Sequence, residues 1–481
     1  MKAKHTNRVV VIPKKNVGFT TTERKLAELC DKTFLKLWTY TSLYNDEGFK
    51  KNKKGNELCD LFVYFNNTVL IFSDKEIKYN ENKNQHSKDG LSVAWTRWKR
   101  RAVDSSIRQI EGAETWVKTH YDRIYFNENC QDKFPFINES NIDKLKIYRI
   151  AIANGCPHSL SLGTSIEDFI INDTRDRKGN YIHVFNAQTI EILTKELSTV
   201  KEFVQYLERK EIFANSEYFT NFTKISELDL LATYLLSPSE TRGNDFYYSE
   251  VDFKIESYTE LINANDYKYG KKAERPSIIF DQMINHISVQ LMAGKIIDTG
   301  YEKFEDNQKI IEVLCNFDRL GRRELSKNFI DKFKETKGRM ISSRSASFSG
   351  EHSNYPDIAI FAIVIFPKAV CKNMNKAEYK DERMAIAQAY ATHYQTQHGV
   401  NKDIVVIAFD NISEVSILWD TNYENFIKKV YDKGFSLAYR AGNSITEEDL
   451  NSFLMMQQKW GILKSSPIRN YGGRVHQFFE P

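Results

Sequence analysis

Residues 57–75 read ELCDLFVYFNNTVLIFSDK. Two apolar runs rich in aromatic and β-branched residues, 57–65 and 68–75, lie on either side of Asn66-Asn67. Two such runs joined by a two-residue asparagine turn are typical of a β-hairpin. Because both runs are apolar on both faces, we expect this hairpin to lie in the centre of a sheet.

Further elements are predicted on both sides of the hairpin. Residues 20–37 combine threonine capping signals with the apolar spacing of an amphipathic helix, whereas residues 40–56 are polar and turn-rich. Apolar positions three and four residues apart predict a long helix over 93–119. Strands are predicted at 146–154 and 181–186. The order helix, hairpin, helix, strand indicates an α/β domain.

The remainder of the chain suggests two further regions. We expect the α/β domain to span residues 1–190, a mostly helical region to span 191–340, and a smaller C-terminal α/β domain to span 341–481. The serine-rich stretch 339–353 is typical of a linker or mobile loop. The C-terminal elements are predicted as strands at 357–366 and 403–409 and helices near 380–397 and 422–433.

Composition excludes several classes of protein. The chain has 481 residues and a formal net charge of +4, which is too small to indicate a nucleic-acid partner by itself. Six cysteines without a C-x-x-C pair argue against a disulfide framework or a zinc ribbon. The longest apolar run, residues 358–366, is far shorter than the roughly 20 residues that span a bilayer, and no secretory signal is visible. We therefore expect a cytoplasmic protein without a membrane partner.

The hairpin also carries candidate chemistry. Metal-assisted phosphodiester cleavage needs a carboxylate that holds a divalent cation, a second ligand, and a lysine that orients water or neutralises developing charge. Asp60 on the first strand and Lys75 at the end of the second can meet at one end of the hairpin. Polar residues in such a setting are costly unless they are paired or functional. A structural ion pair is the alternative interpretation.

This segment resembles the PD-(D/E)XK, or restriction-endonuclease-like, superfamily, whose core is helix, strands, helix and strand. Asp60 matches the first acid of that family, Lys75 matches its lysine, and Glu23 matches its helical glutamate. The family carries another acid two residues before the lysine, where this chain has Ser73. The resemblance therefore implies that Glu23 or Glu57 completes the metal site. The alternatives are a helix N-terminal acid for Glu23 and a turn residue for Glu57.

The resemblance covers about residues 20–155. Gln109, with Trp116 seven residues later, is similar to the Gln-aromatic helix of RecB-like members, which implies that Gln109 lines the site. An ordinary hydrogen-bonding helix residue is the alternative. Strand alternation is expected to point Asp74 away from the site, towards solvent or a salt bridge.

A basic stretch follows the hairpin. Between residues 75 and 101 there are eight Lys/Arg and three acids. Clustered cations beside aromatic rings suit phosphate contact and base stacking. The alternative is a solvated helix face with two core tryptophans. The candidate nucleic-acid-binding residues are Trp95, Arg97, Trp98, Lys99, Arg100 and Arg101.

The resemblance implies a Mg²⁺- or Mn²⁺-dependent endonuclease that hydrolyses DNA phosphodiester bonds, with RNA left open as a substrate. Asp60, Glu23 and Glu57 are the expected metal ligands. The implied setting is bacterial restriction or anti-phage defence, with a second copy of the chain or another defence protein as further partners. The rival hypothesis is a catalytically degenerate nuclease-fold protein that serves as a nucleic-acid-binding or assembly subunit, and Ser73 favours it.

Overall fold

A computed structural model describes most of the chain. It covers residues 15–80, 88–156, 174–216, 226–236, 256–293, 304–336, 343–347, 360–366, 373–398, 403–410, 434–442, 444–460, 469–471 and 474–477. The protein is mixed α/β and divides into two compact units, one of residues 12–269 and one made mostly of residues 270–481. This division falls inside the region expected to be helical, between the boundaries predicted near 190 and 340.

The N-terminal unit is built around a mixed six-stranded sheet with the strand order β4-β1-β2-β3-β5-β6. Strands β4, β1, β2 and β3 pair antiparallel, whereas β3, β5 and β6 pair parallel. The strands are β1 (Thr39–Asn45), β2 (Asn56–Phe65), β3 (Thr68–Glu76), β4 (Ile124–Tyr125), β5 (Lys146–Asn154) and β6 (His183–Phe185).

The predicted hairpin is confirmed as β2 and β3, and it lies in the middle of the sheet. Asn66 and Asn67 both have a positive φ, 44° and 62°. Asparagine tolerates this left-handed conformation, and two such residues make a turn whose twist matches that of the flanking strands. Both strands are buried over most of their length, as their two-sided apolar pattern predicts.

Strand β1 corrects the prediction that residues 40–56 form polar turns. All of Thr39–Asn45 is buried, and the strand pairs with β2. Threonine and tyrosine fit a pleated, half-buried surface well. Their hydroxyls are satisfied by nearby carbonyl groups, since Thr39 Oγ1 donates to Leu35 O at 3.0 Å and Tyr40 Oη donates to Leu37 O at 2.6 Å. Polar composition therefore did not mean exposure here.

Two helices of the N-terminal unit pack against the central strands. Helix α1 (Thr21–Phe34) contacts β1, β2 and β3, and the long helix α3 (Lys88–Thr119) contacts β2, β3 and β5. Both helices were predicted. The other helices up to the end of the unit are α2 (Phe49–Asn52), α4 (Ala187–Glu196), α5 (Val200–Ala214), α6 (Glu227–Leu236), α7 (Ser257–Asn263) and α8 (Asn265–Ala273), which runs across the division.

The C-terminal unit has its own six-stranded sheet, in the order β10-β9-β8-β7-β12-β11. Only the β8–β9 pair among its described ladders is parallel. The strands are β7 (Ser343–Ser347), β8 (Ile360–Phe366), β9 (Ile404–Asp410), β10 (Phe435–Arg440), β11 (Arg469–Tyr471) and β12 (Arg474–Gln477). The helices are α9 (Ile278–Met292), α10 (Phe304–Cys315), α11 (Arg319–Thr336), α12 (Lys376–His398) and α13 (Glu447–Trp460).

The predicted strands β8 and β9 and the helix α12 are confirmed, while the helix expected near 422–433 lies outside the described residues. The expected linker at 339–353 is corrected, because residues 343–347 form β7 between β8 and β12. A strand with neighbours on both sides is held by its ladder as well as by side-chain preference. Its serine-rich composition was therefore misleading.

No helix in the described part of the chain combines the length and apolar character needed to cross a bilayer.

Candidate active site

The buried carboxylate of Asp60 is the centre of the candidate site. It lies on β2, beyond the last registered pair between β2 and β3, and is only 4% exposed. Oδ1 accepts a hydrogen bond from Gln109 Nε2 at 2.8 Å. Oδ2 accepts one from the backbone N–H of Asp74 at 2.5 Å and lies 3.4 Å from Lys75 Nζ. These donors compensate the burial of the carboxylate and fix its orientation.

Gln109 joins Asp60 to Ser73. Ser73 is fully buried, and its Oγ donates to Gln109 Oε1 at 2.9 Å, while the amide nitrogen of Gln109 faces Asp60. The structure thus brings together Asp60, Lys75 and Gln109, three of the residues selected from the sequence. Ser73 stands at the position where the PD-(D/E)XK superfamily, which this segment resembles, has an acid. Its hydroxyl group orients the side chain of Gln109.

Asp74 departs from the prediction. It was expected to face solvent or a salt bridge, but it is 7% exposed and has no ion pair among the described contacts. Its Oδ1 accepts from Asn154 Nδ2 at 3.1 Å, while within the described residues its buried Oδ2 has no hydrogen-bond partner. Burial raises the pKa of Asp74 to about 6, and the carboxylates of Asp60 and Glu23 contribute to the rise.

Asn154 was missed by the sequence argument. It ends β5 and lies beside Glu76, the last residue of β3, in the parallel β3–β5 ladder. The carboxyl ends of parallel strands meet at one edge of a sheet, which is a common place for functional side chains. The Asn154 Oδ1 accepts from the backbone N–H of Ala187, at the start of α4, at 2.8 Å. The sequence did contain one sign of Asn154, because it is a polar residue at the end of the apolar run KIYRIAIAN.

Glu23 takes part in capping α1. Its Oε2 accepts from the backbone N–H of Phe19 at 2.7 Å and of Thr20 at 3.3 Å, in a capping box with the Thr20 side chain. This contact matches the alternative interpretation of Glu23 as a helix N-terminal acid. Glu23 is nevertheless close enough to raise the pKa of both Asp74 and Glu57. It therefore contributes negative charge to the site.

Glu57 lies near the start of β2 and is largely exposed as a residue. Partial desolvation of its carboxyl raises its pKa, and the carboxylates of Asp60 and Glu23 raise it further. Lys75 opposes that rise. Glu57 is thus electrostatically coupled to the site, although no described contact joins it to Asp60.

The arrangement of acids bears on metal binding. Within the described residues, no group of three or more His, Cys, Asp or Glu side chains is arranged to hold a metal ion. Mg²⁺ is commonly held by one or two carboxylates together with water and substrate phosphate. Asp60 and Asp74 have the oxygen chemistry that suits such a cation. The orphaned Oδ2 of Asp74 is the kind of buried acceptor that an ion would satisfy.

The basic start of α3 lies beside the same edge of the sheet. Trp98 is buried, and its Nε1 donates to Ile77 O at 2.8 Å and to Asn154 O at 3.3 Å. The expectation that Trp98 stacks on bases is therefore wrong, because the ring packs in the core against Trp95 at 5.4 Å. Trp95 and Lys99 are half-buried, whereas the exposed cations of this turn are Arg97, Arg100 and Arg101.

Comparison of the chain with protein-family models, with curated proteins and with solved structures found no match. The site must therefore be interpreted from its own residues.

Proposed function

We propose that this protein is a Mg²⁺- or Mn²⁺-dependent endonuclease that hydrolyses DNA phosphodiester bonds. The observation that carries the proposal is the buried Asp60 carboxylate, which is oriented by Gln109 and paired with the partly exposed Lys75 at one edge of the sheet. A buried acid coupled to a lysine that still reaches solvent can act on a substrate, whereas two fully buried partners cannot.

The proposed fold assignment is a restriction-endonuclease-like core. It is supported by the order α1, β1, β2, β3, α3 and β5, which apart from the short α2 and β4 matches the helix, strands, helix and strand of that superfamily. It is also supported by the mixed sheet, in which the hairpin pairs antiparallel and β5 adds in parallel to β3.

Each residue of the proposed site has a chemical role. Asp60 would hold the divalent cation, and a bound cation would polarise the phosphate and lower the pKa of a water molecule. The Lys75 ammonium would orient the attacking water and neutralise negative charge that develops on the phosphate. Gln109 keeps Asp60 in one orientation. The exposed Arg97, Arg100 and Arg101 would contact the phosphates of the DNA backbone.

The test compares two lysines that each pair with an acid in the N-terminal unit. Lys75→Ala removes the lysine next to Asp60, and Lys54→Ala removes an exposed lysine that pairs with Glu128 at 3.2 Å. Supercoiled plasmid, single-stranded DNA and RNA are incubated with each protein in Mg²⁺, Mn²⁺ or EDTA. Metal-dependent cleavage by the wild type and by Lys54→Ala, with a loss of about 100-fold or more in Lys75→Ala, is expected.

Absence of metal-dependent cleavage by the wild-type protein on all three substrates would contradict the proposed activity. Metal binding is measured by calorimetry in parallel, because an enzyme that awaits an activator still binds its cation. Two further points stay predictions from the resemblance. One is the biological setting, restriction or anti-phage defence. The other is the partner, a second copy of the chain or another defence protein.

A second candidate is a catalytically degenerate nuclease fold that binds nucleic acid or assembles with a partner. The buried Ser73, which stands where the family has an acid and bonds to Gln109, favours it. This candidate predicts that the wild type retains DNA in a gel-shift assay but cleaves nothing, and that Lys75→Ala changes neither result.

A further inference from the structure

We infer that the hydroxyl group of Ser105, on α3, binds a phosphate of the substrate next to Lys75. This inference rests on the proposed function and deepens it, because it names a residue that holds the phosphate on which Lys75 acts. Ser105 was not among the residues selected from the sequence. Its role does not depend on which side chains hold the cation.

The first argument is the alignment of α3 on β3, which two hydrogen bonds fix. Ser73 bonds to Gln109 at 2.9 Å, and Trp98 Nε1 donates to Ile77 O, just beyond the end of β3, at 2.8 Å. From Gln109 back to Trp98 the helix rises about 16 Å. From Ser73 on to Ile77 the strand extends about 13 Å. The helix and the strand therefore run antiparallel and stay nearly in step between the two contacts.

This alignment brings Ser105 to the level of Lys75. Ser105 lies one turn before Gln109, about 6 Å back along α3. Lys75 lies two residues after Ser73, about 7 Å further along β3 and on the same face of the strand. Both distances start from the hydrogen bond between Gln109 and Ser73, so Ser105 and Lys75 are expected to be neighbours.

The second argument is the direction in which Ser105 faces. Residues at intervals of four, three and four along α3 form one stripe of the helix, which consists of Trp98, Ala102, Ser105 and Gln109. Trp98 and Ala102 are buried, and Gln109 bonds to Asp60, so this stripe packs on the sheet. Ser105 is half-buried, and solvent still reaches part of it.

The third argument is that two hydrogen-bond donors remain unused. A helical serine often donates to the carbonyl four residues earlier, as Ser106 does to Ala102 O at 2.8 Å. Within the part of the chain that the structure describes, Ser105 makes no hydrogen bond. Lys75 has three N–H donors, and among the described contacts only Asp60 accepts from it. A phosphate oxygen beside Lys75 would accept from both side chains.

A phosphate suits this place because the two donors complement each other. The ammonium supplies positive charge, and the hydroxyl supplies a directional hydrogen bond to a charged oxygen. Arg101 lies one further turn before Ser105 and is exposed, so the cations of α3 continue from this place to the solvent. Ser105 would thus hold the phosphate in one orientation while Lys75 neutralises its charge.

The test uses inorganic phosphate as the probe, so that binding is measured independently of cleavage. Phosphate is titrated into the full chain by calorimetry, in Mg²⁺ and again in EDTA. Ser105→Ala should weaken phosphate binding by about 10-fold, because a hydrogen bond to a charged group is lost. Ser105→Thr keeps a hydroxyl group and should bind as the wild type does. Ser106→Ala is the matched control, because it removes a neighbouring hydroxyl that is bonded within the helix.

Cleavage kinetics on a DNA duplex give a second readout. Ser105→Ala should raise KM by about 10-fold with little change in kcat, because a phosphate contact made equally in the ground state and the transition state affects binding alone. Its Tm should be no lower than that of the wild type, since alanine favours a helix and no hydrogen bond within the described residues is lost.

Three results would overturn this inference and leave the proposed nuclease standing. They are wild-type phosphate affinity and KM in Ser105→Ala, equal losses in Ser105→Ala and Ser106→Ala, and no phosphate binding by the wild type in either buffer. Phosphate binding that depends on Ser105, without cleavage of DNA or RNA, would do the reverse. It would support the phosphate site and contradict the proposed nuclease.

Discussion

Two buried acids in this chain lie on central strands of their sheets, Asp60 on β2 and Asp410 at the end of β9, yet they differ in what surrounds them. In the C-terminal unit, Asp410 ends β9, accepts from Tyr379 Oη at 2.5 Å and pairs with Arg383 at 2.5 Å. In the N-terminal unit, Asp60 pairs with Lys75 at 3.4 Å. The side chains of Arg383 and Asp410 are both almost completely buried, whereas that of Lys75 is 29% exposed.

Of these two pairs, the one with Lys75 has a partner that reaches solvent, so a substrate could contact it. The Arg383 guanidinium also donates from Nε to Ser436 Oγ at 3.0 Å. Both Arg383 and Asp410 therefore find hydrogen-bond partners within the C-terminal cluster. Beside Asp60 there is a second buried acid, Asp74, with an oxygen that has no partner among the described residues. We therefore interpret the Asp410 cluster as a structural one that stabilises the C-terminal unit. We propose that the Asp60 cluster is the one that acts on a substrate.

The largest expected effect concerns the structural cluster. Arg383→Ala leaves the Asp410 carboxylate buried without its partner, so the free energy of unfolding should fall by about 3–5 kcal/mol. Denaturant titration followed by circular dichroism measures this loss. As a control, replacing Arg383 and Asp410 together by Met and Leu should cost much less, because no uncompensated charge remains. Equal losses in both variants would contradict the interpretation of this pair.

The next effect concerns the unsatisfied acid. Asp74→Asn should raise the free energy of unfolding at pH 7 without metal by about 3 kcal/mol, because the pKa of Asp74 is raised from 3.8 to about 6 and one pKa unit corresponds to about 1.4 kcal/mol. The gain should depend on pH. The folded-state pKa is about 6 against an ordinary value of 3.8, so the wild type loses stability as pH rises from about 4 to about 6. The Asp74→Asn variant carries an uncharged amide at this position, so its stability should not fall over this pH range.

The comparison of Asp74→Asn with the wild type is made by denaturant titration in EDTA at several pH values between 4 and 8. The difference in stability should be small near pH 4 and constant above pH 6 to 7. A difference that does not change with pH would mean that the burial of the Asp74 carboxylate carries no electrostatic cost.

The smallest effect concerns the basic turn of α3. Neutralising Arg97 and Arg101 to Gln should weaken DNA binding by about 10-fold and reduce the salt dependence of binding by about two phosphate contacts. Fluorescence anisotropy at several salt concentrations measures both. Lys50→Gln with Lys51→Gln is the matched control, because these two residues are also exposed cations of the N-terminal unit. Equal losses in the two double variants would indicate a diffuse attraction to DNA.

The sequence predicted the parts of the fold that depend on apolar pattern. Strand β5 lies at the predicted residues, and the hairpin turn at Asn66-Asn67 is where the dipeptide placed it. The strands β1 and β7 were missed because threonine and serine are frequent in them, and an apolar pattern does not reveal their ladders to β2 and β8.

The candidate site, like the fold, was predicted from the sequence only in part. Asp60 and Lys75 meet because strand geometry is local, and Gln109 reaches Asp60 from the helix that follows. The burial of Asp74 was not predictable, because alternation gives the face of a strand but not what covers it. Its partner Asn154 lies 80 residues later in the chain, at the end of a parallel strand.

The most direct test is a comparison of the two acids by DNA cleavage. A labelled duplex is incubated with excess enzyme in Mg²⁺, and the single-turnover rate is normalised to the folded fraction. Asp60→Asn should cleave at least about 100-fold more slowly than the wild type, whereas Asp410→Asn should cleave at the wild-type rate. A wild-type rate for Asp60→Asn, or equal losses in both variants, would contradict the assignment of the active site to Asp60.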